Sequence, residues 1–292
     1  MNKEKILQAG KILSEVREYS REFIKKDMPL LKIAEKIEEK IFELGGKIAF
    51  PTGLCINDIA AHYTPSHDDE TLAQGLLKVD IGVHVEGWIA DTAFSIDLEN
   101  NEENKKIIKA SEKALENVIN KIKKNIEIRE IGKIVEETIE SFGFSPIVNL
   151  SGHQIEKFEL HAGISIPNFD NKDNQPLPKG LYAIEPFATS GNGKVYDGKP
   201  SGIYRLIDDK NIRSSIAREV LGLIKKEYET LPFCSRWIVK KFGTKALIGL
   251  KQLEENNNIH NYAVLVETSH KNVAQTEHTI LIENDKVIVT TE

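Results

Sequence analysis

Cysteine is nearly absent, with Cys55 and Cys234 the two in 292 residues. Two are too few for a disulfide scaffold and fit a reducing compartment, where a small buried thiol is the ordinary use. A basic excess is missing too: 39 Lys and Arg against 45 Asp and Glu leave a formal net charge of −6. Phosphate binding needs a basic face, so the acidic balance argues against nucleic acid as the main ligand and leaves room only for a local basic patch. No apolar run approaches the roughly 18 residues of a membrane span. The N-terminal MNKEKILQAGKILSEVREYS carries interspersed acids, not the continuous apolar core of a secretion signal. A cytoplasmic protein with no membrane partner is expected.

What is present is material for a core: 40% hydrophobic residues beside 29% charged ones, which argues against disorder. Apolar positions recur at helical spacing over 2–24, and again after Asp27, where Pro29 suits a first turn and Gly45-Gly46 a stop. KIAFPTGLCINDIAAHYTPSH then reads as a short strand running into a loop, and 76–98 alternates as a hairpin. Two more amphipathic helices are predicted over 102–124 and 128–142, then strands over 147–205, helices over 209–258 and strands to the end. This order predicts one α+β domain over 1–292 that carries a helical insertion at 205–262.

The hairpin segment VDIGVHVEGWIAD places an acid near each end, Asp80 and Asp91, with no Lys or Arg between them. A loop centred between Val85 and Glu86 sets the two opposite each other on one face, with Val79, Ile81 and Val83 on the other. Like charges directly opposite are destabilising, and two acids in one site cannot both ionise cheaply. No nearby cation is expected at the right parity, so a divalent metal is the economical partner. A different register would instead leave the aspartates exposed, guarding a sheet edge.

Further ligands are available. His153 stands in NLSGHQIE at a turn preceded by glycine; Glu185 stands in LYAIEPFATSG among apolar residues, where an unpaired acid is costly. Glu277, in VAQTEHTILIE, makes the same case with more polar neighbours. Each alone is also compatible with a structural histidine or an outward-facing strand position. Together the set suits Mn, Fe, Co or Zn, and four carboxylates exceed one ion's needs, favouring a pair roughly 3.5–4 Å apart.

The ordered motifs FPTGLCINDIAAHYTP, the DIG…D hairpin, NLSGHQIEKFELHAG, AIEPF and AQTEHTIL resemble those of the type 2 methionine aminopeptidases of archaea and eukaryotes. The resemblance covers nearly the whole chain. It implies the pita-bread fold, two similar halves about a pseudo-twofold with the metals between them. It implies two divalent ions per chain, with Asp91 and Glu277 bridging, Asp80 on one ion, and His153 with Glu185 on the other. A metal-bridging water would then attack the first peptide bond. Glu185 is implied as general base, His62 and His161 as contacts to substrate and tetrahedral intermediate, and Phe50, Leu160 and Tyr262 as the wall of the methionine pocket. Structural histidines and ordinary core packing are the plainer alternatives for those five.

The implied partners are nascent polypeptides with an N-terminal methionine, met by a monomer and with transient ribosome contact at most. FPTG lies only about fifty residues from the start, so the charged extension of eukaryotic members is not expected, and Ile203 before Tyr204 favours the archaeal type. The rivals are an X-Pro aminopeptidase or prolidase, which usually carries an additional N-terminal domain, and a non-catalytic binding protein of the same fold.

Overall fold

The computed structural model describes residues 1–123, 125–283 and 286–292. Two helices, α1 (Lys3–Phe23) and α2 (Leu30–Glu43), precede β1 (Lys47–Ile56), β2 (Ile59–Ala61) and the hairpin β3 (Leu76–Val85) and β4 (Trp88–Asp97). A second pair, α3 (Glu102–Lys121) and α4 (Ile128–Ser141), leads to β5 (Ser145–Pro146), β6 (Ser151–Ile155), β7 (Ser165–Pro167), β8 (Gly180–Ile184), β9 (Phe187–Thr189) and β10 (Val195–Leu206). Then come α5 (Ser215–Glu227), β11 (Phe233–Cys234), α6 (Ser235–Phe242) and α7 (Ala246–Glu255). The chain closes with β12 (Ile259–Glu267), β13 (Val273–Gln275), β14 (Glu277–Glu283) and β15 (Lys286–Val289). The helix expected to reach 124 ends at Lys121, and its expected last residue lies outside the described ones.

Each helix pair buries its apolar stripe on half of one sheet, ordered β1-β3-β4-β14-β8-β6-β7 with β15 beside β14. On one half Leu13, Val16, Ile33 and Ile37 meet Val79, Ile81 and Val83, the strand positions expected to point away from the acids. On the other, Ile107, Val118, Ile131 and Val135 meet Tyr182, Ile184, Ile280 and Ile282. A separate core joins Val220, Ile224, Ile238 and Leu250 of α5 to α7 with Tyr204 and Phe233. Among the described residues no helix is long and apolar enough to cross a membrane.

Two expectations need correction. β1 is no short strand: it runs ten residues, and its pairing with β3 absorbs irregularities between Ile48 and Phe50 and between Phe50 and Gly53. The hairpin register is also displaced. Val85 pairs with Trp88, so the turn is Glu86-Gly87, with φ of 52° and 86°, the paired positive angles of a two-residue type I′ turn. Asp91 therefore faces Gly82, and Asp80 faces Ala93. The shift by two keeps both acids on one face but makes them diagonal neighbours rather than opposites.

Candidate metal centre

Five adjacent strands each bring one ligand candidate to one face of the sheet. In spatial order they are β3 with Asp80, β4 with Asp91, β14 with Glu277, β8 with Glu185 just past its end, and β6 with His153. Small residues space them: Asp80, Ala93 and Glu277 lie in register along one row, and Thr279, Ala183 and His153 along the next. His153 sits within a strand rather than at the expected turn. Period-two alternation then aims side chains of one parity into a shared cavity.

That cavity has a volume of about 380 Å³ and is lined by all ten residues singled out from sequence: the five above with Phe50, His62, Leu160, His161 and Tyr262. One ligand atom from each of Asp91, His153 and Glu277 lies within 4.8 Å of the others. His153 Nε2 is 3.7 Å from Asp91 Oδ2 and 3.8 Å from Glu185 Oε1. Asp80 Oδ1, Asp91 Oδ1, His153 Nδ1 and Glu277 Oε1 are buried with no hydrogen-bond partner. Unpaired buried carboxylate oxygens beside an imidazole fit a divalent cation, which would satisfy them together.

The electrostatics agree. Burial, then repulsion from the neighbouring acids, holds the carboxyls of Asp91, Glu185 and Glu277 well above their ordinary range. Burial raises Asp80 to about 7, against a lowering hydrogen bond from Gln275. Desolvation drives His153 down to about 3 and His161 to about 4, and lowers His62, so each imidazole is neutral at pH 7. The histidine rings are held edge to face, His153 on His161 at 4.4 Å and His62 on Tyr262 at 5.5 Å. His62 also holds a positive φ of 63°, a backbone state uncommon outside glycine and frequent at functional positions.

A cation of the right parity does exist, contrary to expectation. Lys78 shares its face of β3 with Asp80 and is 1% exposed, but its Nζ donates to the carbonyls of Asn57 and Val273, both at 2.9 Å. Those bonds point it away from the carboxylates. Sequence reading also missed Gln275, whose amide Nε2 reaches Asp80 Oδ2 at 3.4 Å and Glu185 Oε2 at 3.2 Å. Its one signal was its place two residues before Glu277, in the short strand Val273–Gln275.

A sequence profile of metallopeptidase family M24 matches residues 4–284. The chain belongs to metallopeptidase family M24. Within M24 its relatives include a methionine aminopeptidase of Pyrococcus abyssi (strain GE5 / Orsay), 47% identical over 297 residues and covering 100% of both chains. By structure it resembles a methionine aminopeptidase from Thermotoga maritima, with a TM-score of 0.72 at 21% identity over 100% of this chain and 98% of that one. A thermophilic Arx1 superposes with a TM-score of 0.85 at 15% identity, over 98% of this chain and 89% of that one. These M24 neighbours share the pita-bread fold, an α+β architecture, and M24 membership implies binding of divalent metal.

Proposed function

We propose that the protein removes N-terminal methionine from nascent proteins and peptides by metal-dependent hydrolysis of the first peptide bond. The observation that carries this reading is the convergence of Asp80, Asp91, His153, Glu185 and Glu277 on one cavity, with buried oxygens left unpaired. In it Asp91 and Glu277 would hold both ions, Asp80 would hold one, and His153 with Glu185 would hold the other; Co, Mn, Fe and Zn all suit the donor set. Bound divalent cations supply Lewis acidity at the scissile carbonyl and an acidified water.

The protein's own groups do the rest. Glu185 moves a proton at its carboxyl toward the leaving amine. Neutral His62 and His161 present ring nitrogens to the reacting amide and its developing oxyanion. Phe50, Leu160 and Tyr262 form an apolar wall for an unbranched side chain of methionine's length. The enzyme acts as a cytoplasmic monomer, touching the ribosome transiently at most, with residues 205–262 as an insertion in one catalytic domain.

Release of methionine from a Met-Ala-Ser peptide tests the reading. Turnover should vanish with EDTA and return with Co(II) or Mn(II). No turnover with any metal would favour a binding protein of the same fold, and faster cleavage of an X-Pro peptide would favour the prolidase-like rival.

A further inference from the structure

Gln275 is the residue whose one amide nitrogen touches two carboxylates of the centre. Its Nε2 lies 3.4 Å from Asp80 Oδ2 and 3.2 Å from Glu185 Oε2. Toward ionised carboxylates, which only accept, the amide nitrogen is the end that serves both. The side chain is 1% exposed, so water is no ready substitute for either contact.

Gln275 is itself held. Its N–H donates to Ser95 Oγ at 2.9 Å, and the same hydroxyl donates back to the Gln275 carbonyl at 2.8 Å. The ladder of β13 runs to β9, not to β4, so Ser95 stitches β13 to the strand that carries Asp91. Two residues later the chain delivers Glu277 to the same cavity.

The two acids it grips lie in different places. Asp80 comes from β3 and Glu185 from beyond β8, on opposite sides of β4 and β14 in the sheet. In the reading above they serve different ions. With Asp80 Oδ2 and Glu185 Oε2 turned toward Gln275, Asp80 Oδ1 is left without a partner and Glu185 Oε1 lies 3.8 Å from His153 Nε2. We infer that Gln275 is a positioning residue, a neutral clamp that fixes which oxygen each of these two acids offers and so sets the spacing of the two ion positions.

Neutrality is part of the role. A carboxylate at 275 would add repulsion to acids already crowded by burial, and an ammonium would compete with a cation for them. The glutamine amide supplies two N–H donors without charge.

The inference rests on the two-ion reading, and one experiment separates them. Gln275→Met keeps the length and removes the donors. Calorimetric titration of the metal-stripped full chain with Co(II) should show wild type taking two ions. The Met variant should show at least one step weakened about 10–100-fold, the range expected when an outer partner of a metal ligand is removed. The Co(II) visible absorption band should shift, and kcat should fall tenfold or more with KM within about threefold. Gln275→Asn, which keeps the amide one methylene short, supplies the same readouts should the Met variant not fold, again with a weakened step. Two wild-type-like binding steps, an unchanged cobalt spectrum and unchanged kcat in the folded variant would overturn the clamp while leaving the metal centre standing. A wild-type chain that takes up no cobalt would overturn the centre and the clamp together.

Discussion

The hydroxyl of Thr279 lies 2.7 Å from Asp91 N and 2.8 Å from Asp91 O, accepting from one and donating to the other. The ladder between β14 and β4 comprises Glu277 with Ala93 and His278 with Thr92. The Thr279 side chain stands in for the next rung, at a residue whose carboxylate lines the cavity. Thr291 Oγ accepts in turn from Thr279 N at 3.1 Å, so a segment far along the chain braces the same point.

Thr279→Val should therefore leave two buried backbone groups of Asp91 without partners, each worth about 1–3 kcal/mol. Thermal unfolding should show the loss in metal-free protein as well as in the loaded form. Metal affinity should fall too, since Asp91 is no longer held. A variant with wild-type melting temperature and cobalt affinity would show that Thr279 contributes nothing to the site.

Gly82 provides a second test, at the side of the pocket. A β-carbon there would lie 2.2 Å from Phe50 Cε1, so the ring occupies the space that only glycine leaves free. Gly82→Ala must push Phe50 into the cavity or toward Asp91, which faces Gly82 across the hairpin. Overpacking of this kind costs about 1–3 kcal/mol. The expected kinetic result is a KM for Met-Ala-Ser raised about tenfold with a smaller change in kcat. Equal loss in both would mean that the metal centre, not the wall, was disturbed.

Much of this arrangement was legible in the residues, and the illegible parts share a cause. Helical spacing in α1 to α4 and the alternation of β3 and β4 are local signals, and the structure has them where expected. The hairpin register was not legible because it depends on Glu86 adopting a positive φ, which glutamate does not advertise as Asn or Asp would. The length of β1 was hidden by Pro51 and Gly53, which read as a loop but fall in a strand with irregular pairing. Gln275 and the direction of Lys78 are settled by groups nearly two hundred positions away in sequence, so no local pattern could display them. Asp80 and Asp91 drew attention as paired acids of one hairpin, and His153, Glu185 and Glu277 by their glycine-preceded or apolar settings; the ordered motifs then joined the five into one set, and the cavity has all five in its lining.

Acidity should govern how strongly metal stabilises the fold. Asp80 has a folded value near 7, and Asp91, Glu185 and Glu277 are also raised, all above their unfolded values near 4. A raised carboxyl stabilises the metal-free chain below its unfolded value, and that contribution disappears as pH rises through the folded one. His153 and His161, depressed to about 3 and 4, act oppositely: their contribution is present above about 6.5 and lost as pH falls toward those values. Metal uptake must expel the carboxyl protons. The rise in melting temperature on adding Mn(II) should thus be small at pH 5 and grow through pH 8. A constant increment over that range would mean that the acids already ionise without metal.

The buried pair Glu38 and Arg236 offers the clearest test of how the helical segment is attached. Arg236 Nη1 and Nη2 donate to the two carboxylate oxygens of Glu38 at 2.7 and 2.8 Å, and Trp237 Nε1 donates to Oε2 at 2.9 Å. Arg236 Nε also donates to the Pro65 carbonyl at 3.0 Å, in the loop that follows His62. One side chain of α6 thus joins α2 to the loop leading from the pocket. Arg236→Ala strands a buried carboxylate and should destabilise the protein by about 3–5 kcal/mol, whereas Glu38→Leu combined with Arg236→Met should recover most of that loss. The double variant should still show raised KM, because no apolar side chain can hold Pro65 as the guanidinium does. Chemical denaturation alongside kinetics on Met-Ala-Ser decides the point, and a double variant restored in both stability and KM would confine Arg236 to a purely structural part.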